Sequence, residues 1–183
     1  MPYKTRLKRL LASNGLLEKT YRRRMRATLS SAKAKDGPVL FVCRGNICRS
    51  PFAERLAMTI FPSSLTIQSA GYLPPYGRSC PPEAVEAAFS FGVDLSPHRS
   101  RPLTYSLLNS AAAVFVFDFD NEVFVSNMEG NRPHLPILLG ALSSDQGRGM
   151  EIADPFGHGI DGFTRTYKLI SESLYAAKDL LCI

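Results

Sequence analysis

This chain has no long apolar run. Its longest, residues 111–117, falls far short of the roughly 18 residues a membrane span requires, so no spanning helix is expected. The basic N-terminus has no apolar stretch behind its charges, which argues against a secretory leader. Four cysteines in 183 residues are too few for a disulfide scaffold, and their spacing fits no zinc-ribbon pattern. Histidines number three, and none falls in a cluster with cysteines and carboxylates, so neither a metal nor another cofactor is expected. No internal repeat is found. A reducing, cytoplasmic compartment is the expected location.

What is present is close to a globular average. Hydrophobic residues make up 45% and charged residues 21%, which excludes wholesale disorder and fibrous repeats. The length suits one domain with a sizeable core. The net charge of +6 hides a split. Residues 1–36 carry eleven Lys/Arg and two acids, a charge of +9; residues 37–183 carry eleven and fourteen, a charge of −3. The division is therefore a basic extension and linker over 1–37 and a mildly acidic body over 38–183.

In the extension, Leu7, Leu10 and Leu11 fit one helical face, and Asn14-Gly15 is a stop signal. Leu17, Tyr21, Met25 and Leu29 recur every fourth residue with arginines between them, a second helix. Residues 30–38 read as a linker. The body alternates. Strands are expected at 39–43, 65–69, 111–117 and 134–138. A helix opened by Ser50-Pro51 carries Phe52, Leu56 and Ile60 on one face. A helix over 82–91 turns Val85, Ala88 and Phe89 inward and ends at Gly92. A short helix covers 121–127. Phe163, Tyr167, Ile170, Leu174 and Leu181 mark a closing helix. The expected fold is α/β, an open four-stranded parallel sheet with helices on both faces. Ligands bind such sheets at the carboxyl ends of strands.

At the end of the first strand stands Val42-Cys43-Arg44-Gly45-Asn46-Ile47-Cys48-Arg49-Ser50-Pro51. A cysteine leaves a strand, five residues turn, and an arginine enters a helix N-terminus. The turn's backbone N–H groups and the helix dipole make an anion site. Gly45 and Asn46 tolerate the left-handed backbone that a tight cradle needs. The same positive field favours the thiolate of Cys43, and the Ser50 hydroxyl can donate to that sulfur. Arg49 offers a planar fork to two phosphoryl oxygens. Nucleophile and cradle in one loop imply phosphoryl transfer to cysteine. The loop lacks the Gly-Lys-Ser/Thr of nucleotide-binding loops, so ATP or GTP chemistry is not indicated.

With that ten-residue string, Ser-Ala-Gly at 69–71, His-x-x-Arg at 98–101 and Ala-Asp-Pro-Phe-Gly at 153–157, the chain resembles the low-molecular-weight protein tyrosine phosphatases. The resemblance covers about residues 38–183 and, together with the right-handed crossover rule, implies a four-stranded parallel sheet in order 2-1-3-4. It implies hydrolysis of phosphotyrosine through a phosphocysteine intermediate. Asp154 is implied as the acid toward the leaving phenolate and then the base toward water. Pro155 restricts the Asp154 backbone to extended conformations, which helps present the carboxylate. Phe156 is implied as an aromatic wall of the substrate slot, with Tyr72 and Tyr76 in the segment opposite. The phosphate loop comprises Arg44, Gly45, Asn46, Ile47, Cys48 and Ser50, with Ser69 and His98 supporting it. Cys48 is implied as a reversible disulfide partner of Cys43. His134, His158, Asp145 and Asp161 are read as incidental, surface or capping residues.

Three other readings share parts of the pattern. A thiol-dependent arsenate reductase wants two further cysteines close together, and Cys80 stands alone in its stretch. A protein arginine phosphatase has threonine where this chain has Ile47, and Ile47 favours a phenyl ring. A phosphotyrosine-binding module without turnover would lack Cys43, Arg49 or Asp154. The expected partner is a phosphotyrosine-containing protein, with a bacterial tyrosine kinase suggested by the resemblance. The basic arm is expected either to dock on an acidic partner or membrane surface, with nucleic acid less favoured, or to pack as a helical hairpin on the body.

Overall fold

The computed structural model describes residues 3–12, 15–32, 37–128, 136–143 and 149–181. Two helices, α1 (Tyr3–Ala12) and α2 (Gly15–Ala32), precede the sheet. The uncharged run Val-Leu-Phe-Val-Cys then forms β1 (Val39–Cys43), buried at every position. A strand apolar on both faces has to be covered on both, which selects a parallel sheet wrapped by helices. The order is β2-β1-β3-β4, every pairing parallel. Cys43 sits at the carboxyl end of β1, in register with the last residue of β2 (Ile67–Gly71).

Between those strands runs α3 (Arg49–Ile60), which begins just before the expected Ser50-Pro51. Pro51 falls in its first turn, where a missing N–H costs nothing. Phe52 and Leu56 are buried; Ile60 is half-buried. The second strand lies two residues later than expected, because Leu65 N–H closes a turn onto the Pro62 carbonyl at 3.0 Å. The helix α4 (Pro82–Phe89) buries Ala84, Ala87 and Ala88, whereas Phe89 is 80% exposed. Phe91, beyond the helix end, turns inward instead and meets Phe52 edge-on at 5.5 Å.

A helix absent from the sequence expectation, α5 (Tyr105–Ser110), is capped by Thr104, whose hydroxyl accepts from Leu107 N–H. It shortens the third strand to β3 (Ala113–Val116). Asp118 then caps α6 (Phe119–Asn127) by accepting from Asn121 N–H at 2.7 Å. The fourth strand, β4 (Ile137–Leu138), leads into a 3-10 turn, Leu139–Leu142. Asn14, part of the linker (33–36), His134, Asp145 and Cys182 lie outside the described residues. Phe163, Tyr167, Ile170 and Leu174 of α7 (Gly159–Leu181) are buried as expected.

The arm packs on the body, α1 against α6 and α2 against α7 and the 3-10 turn. Leu7 and Leu10 are 44% and 64% exposed. The docked face of α1 carries Thr5, Lys8 and Arg9, because α6 presents acids: Lys8 meets Glu122 at 2.8 Å. Tyr21 of α2 donates to Glu122 at 2.6 Å and packs edge-on against Phe119 at 6.2 Å. Among the described residues no helix is long and apolar enough to cross a membrane.

Candidate active site

The loop after β1 turns at Asn46, a non-glycine residue at φ +52° and fully buried. Left-handed backbone at such a residue persists only where neighbours over-determine it. Here four contacts hold it. Its Nδ2 donates to Ser50 Oγ at 2.9 Å and to Ser69 Oγ at 2.8 Å. Its Oδ1 accepts from Arg101 N–H at 2.8 Å. Its carbonyl lies 2.8 Å from His98 Nε2. A carbonyl only accepts, so Nε2 carries the proton. Burial of His98 pushes its pKa below the ordinary value, which keeps the ring neutral.

Behind this layer, Ser69 Oγ donates to Glu54 at 2.7 Å and Arg101 donates to the same carboxylate at 2.6 Å. The Arg44 carbonyl accepts from Tyr72 N–H at 3.0 Å and Leu73 N–H at 2.8 Å. Arg78 donates to the Gly45 carbonyl at 3.1 Å. Tyr167 of α7 donates to the Cys48 carbonyl at 3.1 Å. The loop is thus tied to β2, α3, α7 and the 98–101 segment.

Cys43 Sγ lies 3.0 Å from Ser50 Oγ. Cys43, Cys48 and Cys80 are free thiols and all are buried. Burial pushes the Cys48 thiol well up, and the neighbouring Cys43 adds to it, so Cys48 is poorly disposed to ionise.

Arg49 enters α3 with 1% exposure. Its Nη1 donates to Asp118 at 2.6 Å and to the Ile152 carbonyl at 2.9 Å; its Nη2 donates to Asp154 at 3.0 Å. Burial works against its charge, but Asp154 and Asp118 outweigh it and raise its pKa. Its buried Nε has no hydrogen-bond partner among the described residues. A buried donor without an acceptor is costly, and an anion's oxygen would satisfy it.

Cys43 and Asp154 border one cavity of about 260 Å³, lined with them by Arg44, Gly45, Ile47, Cys48, Leu73, Arg78 and Phe156. Phe156 is 62% exposed at its rim. The tyrosines expected opposite it are not in the lining. Tyr72 stacks on Phe124 at 3.8 Å and accepts from Asn121, and Tyr76 points to solvent. From that segment Leu73 and Arg78 line the cavity instead.

Asp118, Glu54, Arg78 and Tyr167 were not among the expected site residues. Asp118 had a usable signal: it follows the third strand, at the end of the sheet where ligands bind. Tyr167 had none, since an aromatic at helical spacing reads as core.

The model of the family described as low molecular weight phosphotyrosine protein phosphatase matches residues 38–180. A Ralstonia solanacearum protein named probable low molecular weight protein-tyrosine-phosphatase EpsP is 42% identical over 138 residues, covering 75% of this chain and 91% of that protein. The protein-arginine-phosphatase of Bacillus subtilis (strain 168) is 33% identical over 141 residues, covering 74% and 91%. The tyrosine phosphatase Wzb from Escherichia coli K30, solved in complex with sulphate, superposes with a TM-score of 0.70 at 26% identity, covering 80% of this chain and 99% of that one. The basic arm precedes the matched region.

Proposed function

The chain belongs to the low molecular weight phosphotyrosine protein phosphatase family, and on that premise we propose that it hydrolyses phosphotyrosine in proteins in two steps through a phosphocysteine at Cys43. The observation that carries this reading is the shared fork of Arg49. It enters the helix beside the cysteine loop and grips Asp154, and the cysteine and the aspartate line the same cavity.

A bound phosphoryl group sits on the loop N–H groups and takes up Arg49 Nε, which lacks an internal acceptor. Its charge competes with Asp154 for Nη2 and frees that carboxyl to carry a proton. Cys43 attacks phosphorus as its thiolate; the bond to the phenolic oxygen breaks, and Asp154 gives its proton to that oxygen. In the second step the Asp154 carboxylate takes a proton from water, the water oxygen attacks phosphorus, and the S–P bond breaks. Inorganic phosphate leaves and the thiolate returns, stabilised by the Ser50 hydroxyl 3.0 Å away. The Arg49 fork and the loop amides hold the equatorial oxygens throughout.

Ile47 and Leu73 line the cavity with Phe156 at its rim. A phenyl ring gains from such walls, whereas a guanidinium would lose hydration against Ile47 and Leu73. Phosphotyrosine is therefore favoured over phosphoarginine. The protein substrate is a phosphotyrosine-bearing protein, and a bacterial tyrosine kinase is the first to test. The free thiols suit a reducing cytoplasm.

The test is hydrolysis of a phosphotyrosine peptide, with labelled phosphate trapped on the enzyme by rapid quench. Wild type should carry label on Cys43. Cys43→Ser should lose turnover and keep its fold, because serine does not ionise at neutral pH. Turnover in Cys43→Ser near the wild-type rate, or faster release from phosphoarginine than from phosphotyrosine, would overturn the reading.

A further inference from the structure

Arg9, outside the family match, reaches the segment that carries the proposed acid. Its Nε donates to Glu151 Oε2 at 2.8 Å and its Nη2 to Glu151 Oε1 at 2.8 Å. Nη2 also lies 3.4 Å from Asp120 Oδ2 on α6. A two-point fork fixes a carboxylate in direction as well as distance. Glu151 Oε1 accepts in addition from Phe119 N–H, the first residue of α6, at 3.0 Å.

The segment then runs straight into the site. Ile152 N–H donates to the Phe117 carbonyl at 2.7 Å, and the Ile152 carbonyl accepts from Arg49. Two residues later, Asp154 accepts from Arg49. Asp118, which caps α6, accepts from the same guanidinium. Glu151 is thus where the arm meets both pieces of backbone that frame Arg49.

We propose that Arg9 is a positioning residue for catalysis: its fork on Glu151 fixes residues 151–154 against α6 and so sets the reach of Asp154 to the leaving oxygen. This rests on the reading of Asp154 as the acid. A partly exposed ion pair adds little to global stability, but an acid on a loop is sensitive to small displacements of its backbone.

The test compares kcat/KM on phenyl phosphate and on p-nitrophenyl phosphate, using the full chain. The first leaving group needs a proton, and the second departs with little help. Asp154→Asn should lose about 10²-fold or more on phenyl phosphate and much less on the nitrophenyl ester. Arg9→Ala should show the same selectivity in miniature, about tenfold against under about twofold. Arg9→Lys, which keeps the charge but not the fork, should recover part of the loss. Tyr21→Phe removes the arm's bond to Glu122 and leaves Glu151 untouched, so its substrate ratio should stay at wild type.

An unchanged ratio in Arg9→Ala alongside a shifted one in Asp154→Asn overturns the positioning role alone. An unchanged ratio in Asp154→Asn overturns both, because the acid is then another residue. A shift in Tyr21→Phe equal to that in Arg9→Ala assigns the effect to arm docking in general and also overturns the role of Arg9. Should Arg9→Ala fail to fold, Arg9→Lys carries the test, with a ratio shifted about threefold expected and an unchanged one refuting it.

Discussion

Asn46 and His98 show how single residues hold a strained loop. The left-handed backbone of Asn46 costs of order 1–3 kcal/mol, and the bond from His98 to its carbonyl offsets part of that. Either protonation state can donate from Nε2, so it is burial of the ring, and not this bond, that disfavours the charged form. Burial lowers the His98 pKa from its ordinary 6.5, against the opposing pull of the Asn46 carbonyl. The folded protein therefore binds this proton less readily than the unfolded chain. The stability tied to neutral His98 is fully present above about pH 6.5 and is lost as the pH falls through the lowered, folded value. Urea melts between about pH 7.5 and 5 should show no slope from this group above about pH 6.5 and stability falling below it. His98→Gln, which keeps a donor and cannot titrate, should flatten that fall; an equally steep fall in the variant would assign it to another group.

At the scale of elements, the end of β2 is pressed against the phosphate loop. A Cβ on Gly71 would stand 2.7 Å from Asn46 N, 2.8 Å from the Gly45 carbonyl carbon and 2.9 Å from Asn46 Cβ. Two of those atoms are backbone of the loop, so neither rotamer change nor side-chain bending relieves the clash. Gly71→Ala should destabilise the protein by about 1–3 kcal/mol and lower kcat/KM through displaced loop amides. Denaturant melts and phosphotyrosine peptide kinetics check both halves. A variant with normal kcat/KM would show that the loop holds its shape without contact from β2. The same close approach explains why Ser-Ala-Gly is a marker at all: Ser69 braces Asn46 from the side on which Gly71 makes room.

Over the whole molecule, the charge split becomes an intramolecular fit. The basic arm lays Lys8 and Arg9 on Glu122, Asp120 and Glu151 of the acidic body. Removing residues 1–36 would uncover Phe119, now 1% exposed beside Tyr21, and strip those acids of their cations. A chain beginning at residue 37 should fold, since the family match starts at 38. Its Tm should lie roughly 5 °C lower, measured by thermal melts at equal salt. A Tm at or above that of the full chain would show that the arm adds nothing to the stability of the body.

The first strand, the cysteine loop and the closing helix were legible in the sequence because each rests on local chemistry, whereas the strand order followed from the crossover rule and the family resemblance. A short apolar run, a Cys-x5-Arg turn and a 3.6-residue period each declare themselves within a dozen residues. What was misread depended on neighbours far along the chain. Phe89, expected inward with Val85 and Ala88, is left in solvent at the last residue of α4, and Phe91, beyond the helix, packs onto Phe52 instead. Tyr72 is held by Phe124 and Asn121 of α6 and does not line the cavity. Asp118, Glu151 and Arg9 lie far apart in sequence, and only the docking of α1 and α6 beside the acid segment makes one frame of them. Local pattern determined which residues carry the chemistry. Long-range packing decided which others hold them in place, because hydrogen bonds and ion pairs select on distance and direction in space, and neither quantity is written in residue spacing.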